Sequence, residues 1–443
     1  MTTLTSQRRR RASVLGRALL CLALLPAGHA CHAQSGRAQS GAIPAPPSIT
    51  SAPSAAPVTY DQDFALLCKA VEGHFYDPAF NGLDWPRARA EYARRLKSVT
   101  SDAQFLALMN DLLARLHASH TRLYGPDDFE FYLLPEIVYG RVTPSQRVLP
   151  GGLRAPAAGR LFQIGRLFQI GCLASPDDRA RVAAVLDGSP AAAAGLRAGD
   201  VLVSADGRPY HGLTQFGPAP VRLVYRRQNA EAAVTVAPVG QTPLDLMLAA
   251  TEKSARVIPL PDGRRIGYVH LWCMGDFRFE RALEGLVLGR LHDTDGLVLD
   301  LRQGYGGSPA GFADPFFRPD IRVSSRSRRE PHWAERHQGY SRPLVVLVDQ
   351  GTRSAKEWLA WTLQASKRAR LVGQRTAGAE LGLEIFPVGP GFLLELAVQD
   401  LALNGIHLEE HGVDPDIALA GSPSEDAYLQ KALQVFAEEH AKS

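Results

Sequence analysis

Apolar residues return at helical spacing soon after position 60. Phe64, Leu67, Val71 and Phe75 share one face of a helix that begins near Asp63. A second helix starts at Asp84, with Trp85-Pro86 in its opening turn. A third is announced by a capping box, Ser101-Asp-Ala-Gln104, ahead of Phe105, Leu108, Leu112 and Leu116. It frays near His117, so Ala118-Ser119-His120-Thr121 lies where helix gives way to loop. After Arg264 the pattern changes to continuous apolar runs, residues 266–272, 296–301 and 343–348, with helical stretches between or after them. Such runs read as strands buried on both faces, a partly parallel sheet covered by helices. The fold class is therefore α/β (mixed α+β): a helical N-terminal domain (59–158), a middle domain (159–245) and a mixed-sheet core (246–443).

Composition adds little beyond a globular class. Hydrophobic residues make up 45% of the 443 positions and charged ones 21%, which excludes a disordered or fibrous chain. The formal charge of +4 hints at an acidic partner, until its source is located. Arg8, Arg9, Arg10, Arg11 and Arg17 all fall within residues 1–33, which hold no acid. Without these five, 44 of the 49 basic residues face 45 acidic ones, and nothing points to nucleic acid. Those arginines precede the apolar run 18–25, which is shorter than the ~20 residues a membrane span needs. Small residues follow, and Cys31-His32-Ala33 before Gln34 forms an acceptable cleavage site. Residues 1–33 thus read as a secretory signal peptide, with a twin-arginine signal and lipidation of Cys31 as the weaker alternatives. No other stretch is apolar enough to span a bilayer, so the mature chain is expected in the periplasm or outside the cell. Residues 34–58, rich in Ala, Pro, Ser, Gly and Gln, are expected to form a disordered linker. Cys68, Cys172 and Cys273 remain after the leader is removed, an odd and widely spaced set that reads as three buried thiols.

Residues 159–171 repeat a hexapeptide in tandem, GRLFQI-GRLFQI-G. Six is even, so a strand carrying such a duplication keeps its faces. From Arg181 a β-run meets Gly188-Ser-Pro190, an alanine-rich short helix stops at Gly195, and Gly199-Asp200 turns into the run 201–203. This SPA-x-x-AGL-x-x-GD pattern resembles a PDZ domain. That resemblance implies an added peptide strand, with a terminal carboxylate cradled by backbone N–H groups. The alternative is a lid or spacer.

Chemistry concentrates after two strands. The run ending at Val348 leads through Asp349-Gln-Gly-Thr-Arg to Ser354-Ala-Lys-Glu357 and a helix containing Trp358, Leu359 and Leu363. A serine at such a turn sits where free N–H groups favour developing negative charge, although it serves equally as an N-cap. The run 296–301 leads into Arg302-Gln-Gly304-Tyr-Gly306-Gly307, where glycines let backbone approach a ligand or simply turn the chain.

GLVLDLRQGYGG, VVLVDQGTRSAKEWLA, LVGQRTAG and EEHGVDPD follow the PDZ-like segment in that order. Together they resemble the C-terminal processing and tricorn-core group of serine peptidases over roughly residues 60–440. In the processing branch a lysine 25 residues after the nucleophile is the base. Here that position is Ala379, flanked by Gly378 and Glu380, and Lys356 lies along the helix pointing away from the serine. The tricorn-like branch instead pairs the serine with a Ser–His motif and a glutamate before G-V-x-P-D. The resemblance thus implies Ser354 as nucleophile, His120 as general base, and Glu409 orienting it with Ser119 hydrogen-bonded between them. It also implies an oxyanion hole from the N–H groups of Ala355 and of Gly306 or Gly307, with Gly306 the family's usual choice. No cofactor or metal is expected, and the partner is a peptide or protein substrate, recognised at its C-terminus if the PDZ-like segment recruits it. Gly304, Tyr305 and Lys356 depart from the family pattern. They leave a catalytically inactive relative that binds peptides or apolar ligands as the competing function. Tyr305 stands to narrow the cleft or stack on substrate. Lys356 reads first as a solvated helix-end lysine and second as an attractor of acidic substrate residues. His407-Leu-Glu-Glu410-His411 matches the H-x-x-E-H zinc motif in letters. Gly405, Gly412 and Pro415 around it argue against the helix that motif requires.

Overall fold

The computed structural model describes residues 60–140, 167–308, 311–328, 332–421 and 423–440. The leader, the linker and the first copy of the hexapeptide lie outside the described residues. In the second copy, Leu167–Gln169 forms a strand paired with Val239–Gln241.

Three helices open the described chain: α1 (Tyr60–His74), α2 (Trp85–Leu96) and α3 (Asp102–Ala114). Asp84 caps α2 by accepting from Arg87 N at 3.1 Å, and Pro86 occupies the first turn, where a missing N–H costs nothing. Ser101 caps α3 through Gln104 N at 3.3 Å. The reciprocal half of the expected box is displaced by one residue, because Gln104 Oε1 accepts from Thr100 N and Oγ1 instead. Beyond α3 the chain turns through His117 (φ 46°) and His120 (φ 50°) into β1 (Arg122–Tyr124), then α4 (Phe129–Tyr139).

These helices do not close a core by themselves. Leu67, Val71, Phe105 and Leu112 pack against Val388, Phe392, Leu394 and Leu396, which arrive from near the other end of the chain.

The middle segment is an antiparallel sheet of five successive strands between Cys172 and Val236, with a two-residue strand at Arg208–Pro209 beside it. A short helix, Pro190–Ala193, is capped by Ser189. Gly195 (φ 77°) and Gly199 (φ 88°) make the turn after it, as only glycine does without strain.

The core sheet carries β2 (Arg265–His270), β3 (Gly296–Asp300), β5 (Leu344–Val348), β6 (Arg370–Gly373) and β9 (Ile417–Ala418), parallel in that order. The strand Arg256–Pro259 is antiparallel at one edge. The runs are apolar throughout because both faces are covered. Leu297 and Leu299 face a cluster shared with α5 (Ala355–Ala365), whereas Val298 faces α6 (Glu425–His440) through Tyr428, Val435 and Phe436. A short strand β4 (Tyr305–Gly307) leaves the end of β3 and pairs with Cys273–Met274. The hairpin β7 (Gly382–Val388) and β8 (Phe392–Gln399) swings away to meet the N-terminal helices, and β1 adds to its β8 edge. Cys68, Cys172 and Cys273, the cysteines among the described residues, are free thiols, and burial pushes each up to about 12. Cys68 and Cys273 are buried, but Cys172 is only half-buried.

Candidate active site

Ser354 stands between β5 and α5 with a left-handed backbone (φ 57°, ψ −134°). Holding a residue with a side chain there costs about 1–3 kcal/mol, so its surroundings must over-determine it. Ser354 N donates to Ala379 O at 2.9 Å and to Glu357 Oε2 at 3.1 Å. Glu357 is fully buried and also accepts from Thr376 Oγ1 (2.5 Å), Gly378 N (2.7 Å) and Ala379 N (2.8 Å). One carboxylate thus ties the serine turn to the loop at 376–380.

His120 comes from the turn before β1, and its Nδ1 lies 2.8 Å from Glu395 Oε1 on β8. The other carboxylate oxygen accepts from Tyr124 Oη at 2.9 Å. Burial alone would raise the Glu395 carboxyl, but the His120 and Tyr124 hydrogen bonds and the Arg353 charge hold it below the usual glutamate range. Among the described residues, His120 Nε2 is a buried nitrogen without a hydrogen-bond partner. The residue His120 lines one cavity of about 450 Å³ together with Ser354, Ala355 and Gly306.

Glu409 lies elsewhere in the network. It accepts from Ser119 N and Oγ (both 2.8 Å), from Glu380 N (2.8 Å) and from Leu381 N (3.3 Å). The expected chain from Glu409 through Ser119 is present as far as Ser119. The Nδ1 contact itself belongs to Glu395, a residue the motifs did not single out. Its signal in the sequence is a lone carboxylate within the apolar run Phe392–Ala397.

Gly306 lies against the serine. A methyl group there would stand 2.6 Å from Ser354 Cβ, 2.9 Å from Ser354 Oγ and 2.8 Å from Ala355 N. Tyr305 N donates to Trp272 O at 3.0 Å, which fixes the start of β4 beside Cys273–Met274. Ala355 N–H is the first of α5 and has no intrahelical acceptor by position.

Two departures from the family pattern resolve differently. Tyr305 gives its hydroxyl to Glu130 Oε1 at 2.5 Å, inside the cavity wall. Lys356 is not a solvated helix-end lysine. It is fully buried, because the start of α5 lies under the glycine loop, and Nζ donates to Gln303 O at 2.7 Å.

Residues 265–419 match the family model described as Peptidase family S41. This region of the chain is an S41 peptidase domain. Ahead of that domain, residues 57–114 match the Tricorn protease C1 domain and residues 181–218 a PDZ domain. A carboxyl-terminal-processing protease of Synechocystis sp. is 26% identical over 383 residues, covering 83% of each chain. A chloroplastic C-terminal processing peptidase of Tetradesmus obliquus is 26% identical over 380 residues, covering 80% of this chain and 76% of the relative. The fold is shared with the crystal structure of the tricorn protease, at TM-score 0.51 and 14% identity over 86% of this chain and 37% of that one.

Within this S41 chain the H-x-x-E-H letters fall on turns, not a helix. His407 Nδ1 faces Asp400 at 3.3 Å, whereas His411 Nδ1 faces the Glu409 carbonyl. Another group, His292, Asp293 and His337, brings its donor atoms within 4.8 Å of one another. Its two imidazoles stack face to face, 3.3 Å apart and 17° from parallel, and share Asp320 Oδ1 at 3.1 Å each. The shared Asp320 oxygen ties His292 to the strand Ala334–His337, which pairs with Arg322–Ser325. No helix among the described residues is long and apolar enough to cross a membrane.

Proposed function

We propose that this S41 chain is an exported endopeptidase that hydrolyses peptide bonds by acyl transfer through Ser354. The observation that carries the reading is the unpartnered, buried Nε2 of His120, which lines the cavity that Ser354 enters. A serine hydroxyl attacks only when a base takes its proton, and with Nδ1–H given to Glu395 the Nε2 of the cavity-lining His120 is left as the acceptor. Ser354 Oγ bonds to the carbonyl carbon as its proton passes to Nε2. The oxyanion takes hydrogen bonds from the N–H groups of Gly306 and Ala355. The C–N bond then breaks, the amine leaves with the proton from Nε2, and water repeats the sequence on the acyl-enzyme. Glu395 at Nδ1 stabilises the imidazolium. Glu409 acts one step further out, holding Ser119 and so the turn that carries His120.

The PDZ-like segment supplies the route for a peptide. A second cavity, of about 690 Å³, shares His120, Tyr124, Glu130, Arg353 and Glu395 with the first and continues to Cys172–Asp177 and Arg181. A chain end held there would lead its preceding residues to Ser354. Export rests on the leader pattern of residues 1–33, with the mature chain starting near Gln34.

Intact mass after treatment of the exported protein with a fluorophosphonate tests both parts. The expected species begins near Gln34 and carries one phosphonyl group, absent from Ser354→Ala. A folded protein that stays unlabelled would leave a peptide-binding, catalytically inert relative. A species beginning at Cys31 with added acyl mass would replace export as a soluble protein by lipidation.

A further inference from the structure

We propose that Lys356 is a positioning residue of the oxyanion loop: its buried ammonium clamps the Gln303 carbonyl and thereby sets Gly306 against Ser354. The inference rests on the peptidase reading above and gives Lys356 a part in it.

The loop from β3 to β4 reverses through two successive left-handed residues, Gln303 (φ 51°) and Gly304 (φ 71°). For glutamine that backbone is strained, so it holds only where the surroundings fix it. Three hooks do so. Asp349 accepts from Gln303 N at 3.1 Å and from Gln303 Nε2 at 2.7 Å. Trp272 O accepts from Tyr305 N at 3.0 Å. Lys356 Nζ donates to Gln303 O at 2.7 Å from beneath, so close that a methyl on Gly304 would stand 3.1 Å from Nζ. The loop leads within three residues to Gly306, which touches the nucleophile.

The ammonium is a costly choice for this place. Lys356 is 0% exposed, and its hydrogen-bond partner is a carbonyl rather than a carboxylate. Facing it are the Cys273 thiol, Asp349, Asp300 (committed to Arg302 through both oxygens) and the His270 imidazole. Burial outweighs these charges and brings the lysine down to about 8, so its proton is lost just above neutral pH. A methionine would fill the same volume without that desolvation cost, and stability alone would favour it. What methionine lacks is a donor for Gln303 O.

The sign follows. Below pH 8 the ammonium is charged and the loop is clamped. Above it a neutral amine makes the weaker bond, since charge-assisted hydrogen bonds are roughly twice as strong as neutral ones.

The test is the rate of fluorophosphonate labelling as a function of pH, split into the maximal labelling rate and the half-saturating concentration, with thermal transitions alongside. Wild type should lose about tenfold in maximal rate through a limb near pH 8. Lys356→Met should be about tenfold slower at pH 7, flat from there to pH 9, unchanged in half-saturation, and no less thermostable. Lys356→Arg should keep the rate and move the limb far to the alkaline side, because arginine stays charged. A folded Lys356→Met with the wild-type limb overturns the inference and leaves the peptidase reading standing. If that variant does not fold, an unmoved limb in Lys356→Arg overturns it equally. A wild type that is never labelled at Ser354 overturns both.

Discussion

Replacing Glu395 by Gln separates the two carboxylates near His120. The new amide could keep its carbonyl oxygen on His120 Nδ1 and turn its NH₂ towards Tyr124 Oη, since those atoms sit on opposite oxygens of the native carboxylate. The tautomer of His120 would then survive, and only the charge would be lost. Two unit charges about 4 Å apart at an effective dielectric of about 20 attract by about 4 kcal/mol. Arg353, close enough to lower the Glu395 carboxyl, offsets part of that interaction. About 3 kcal/mol remains to stabilise the imidazolium, so the maximal fluorophosphonate labelling rate should fall roughly 10²-fold at pH 7. Stability should shift with pH in the acid range. A carboxyl held below its ordinary value stabilises the fold above that value and loses its contribution as pH falls through the lower folded one, a dependence Glu395→Gln removes. Glu409→Gln should behave in the opposite way. Glu409 accepts four hydrogen bonds, three of them from backbone N–H groups, and an amide must turn its NH₂ towards at least one donor. An orphaned buried N–H costs about 1–3 kcal/mol, so the thermal transition should drop while labelling slows about tenfold or less. Glu395→Gln labelling within threefold of wild type would refute the reasoning. So would a Glu409→Gln variant with an unchanged thermal transition and a hundredfold loss. The imidazole would then be governed through Ser119.

Two further outcomes are expected. Gly306→Ala should abolish labelling in a folded protein, because the methyl would meet Ser354 Cβ at 2.6 Å and Ala355 N at 2.8 Å; labelling that persists would move the oxyanion donor to another N–H. Amidating the C-terminus of a bound peptide should weaken its affinity about tenfold, measured by fluorescence anisotropy, as a charged partner for backbone N–H groups is lost. Equal affinity for free and amidated peptides would make the PDZ domain a spacer.

The sequence was most readable where local physics decides. The apolar runs at 266–272, 296–301 and 343–348 became strands because a parallel sheet buried on both faces has no polar positions to interrupt the pattern. Asp84 and Ser101 cap helices because their side chains reach N–H groups three residues away. Lys356 was misleading for the complementary reason. A lysine in the first turn of a helix looks solvated, yet it is fully buried here, as is the neighbouring Glu357. The lid over that turn comes from residues 303–307 and 376–380, and no local pattern announces it.

Glu395 shows how an unmarked residue reaches the centre of a site. It lies 275 positions from His120, and the meeting is arranged by strand register. β1 pairs antiparallel with β8 as Arg122↔Glu395 and Tyr124↔Leu393, which puts His120 and Tyr124 on either side of the Glu395 position along the neighbouring strand. Such diagonal neighbours are within reach of a long side chain, and Glu395 takes both, one on each oxygen. A slip of one residue would turn Glu395 to the opposite face, among the side chains that pack on α1 and α3, where a carboxylate has no donor. The alternation Leu394-Glu395-Leu396 therefore carries two instructions at once. The leucines bind the hairpin to the N-terminal helices, and because they do, the glutamate between them can face only His120.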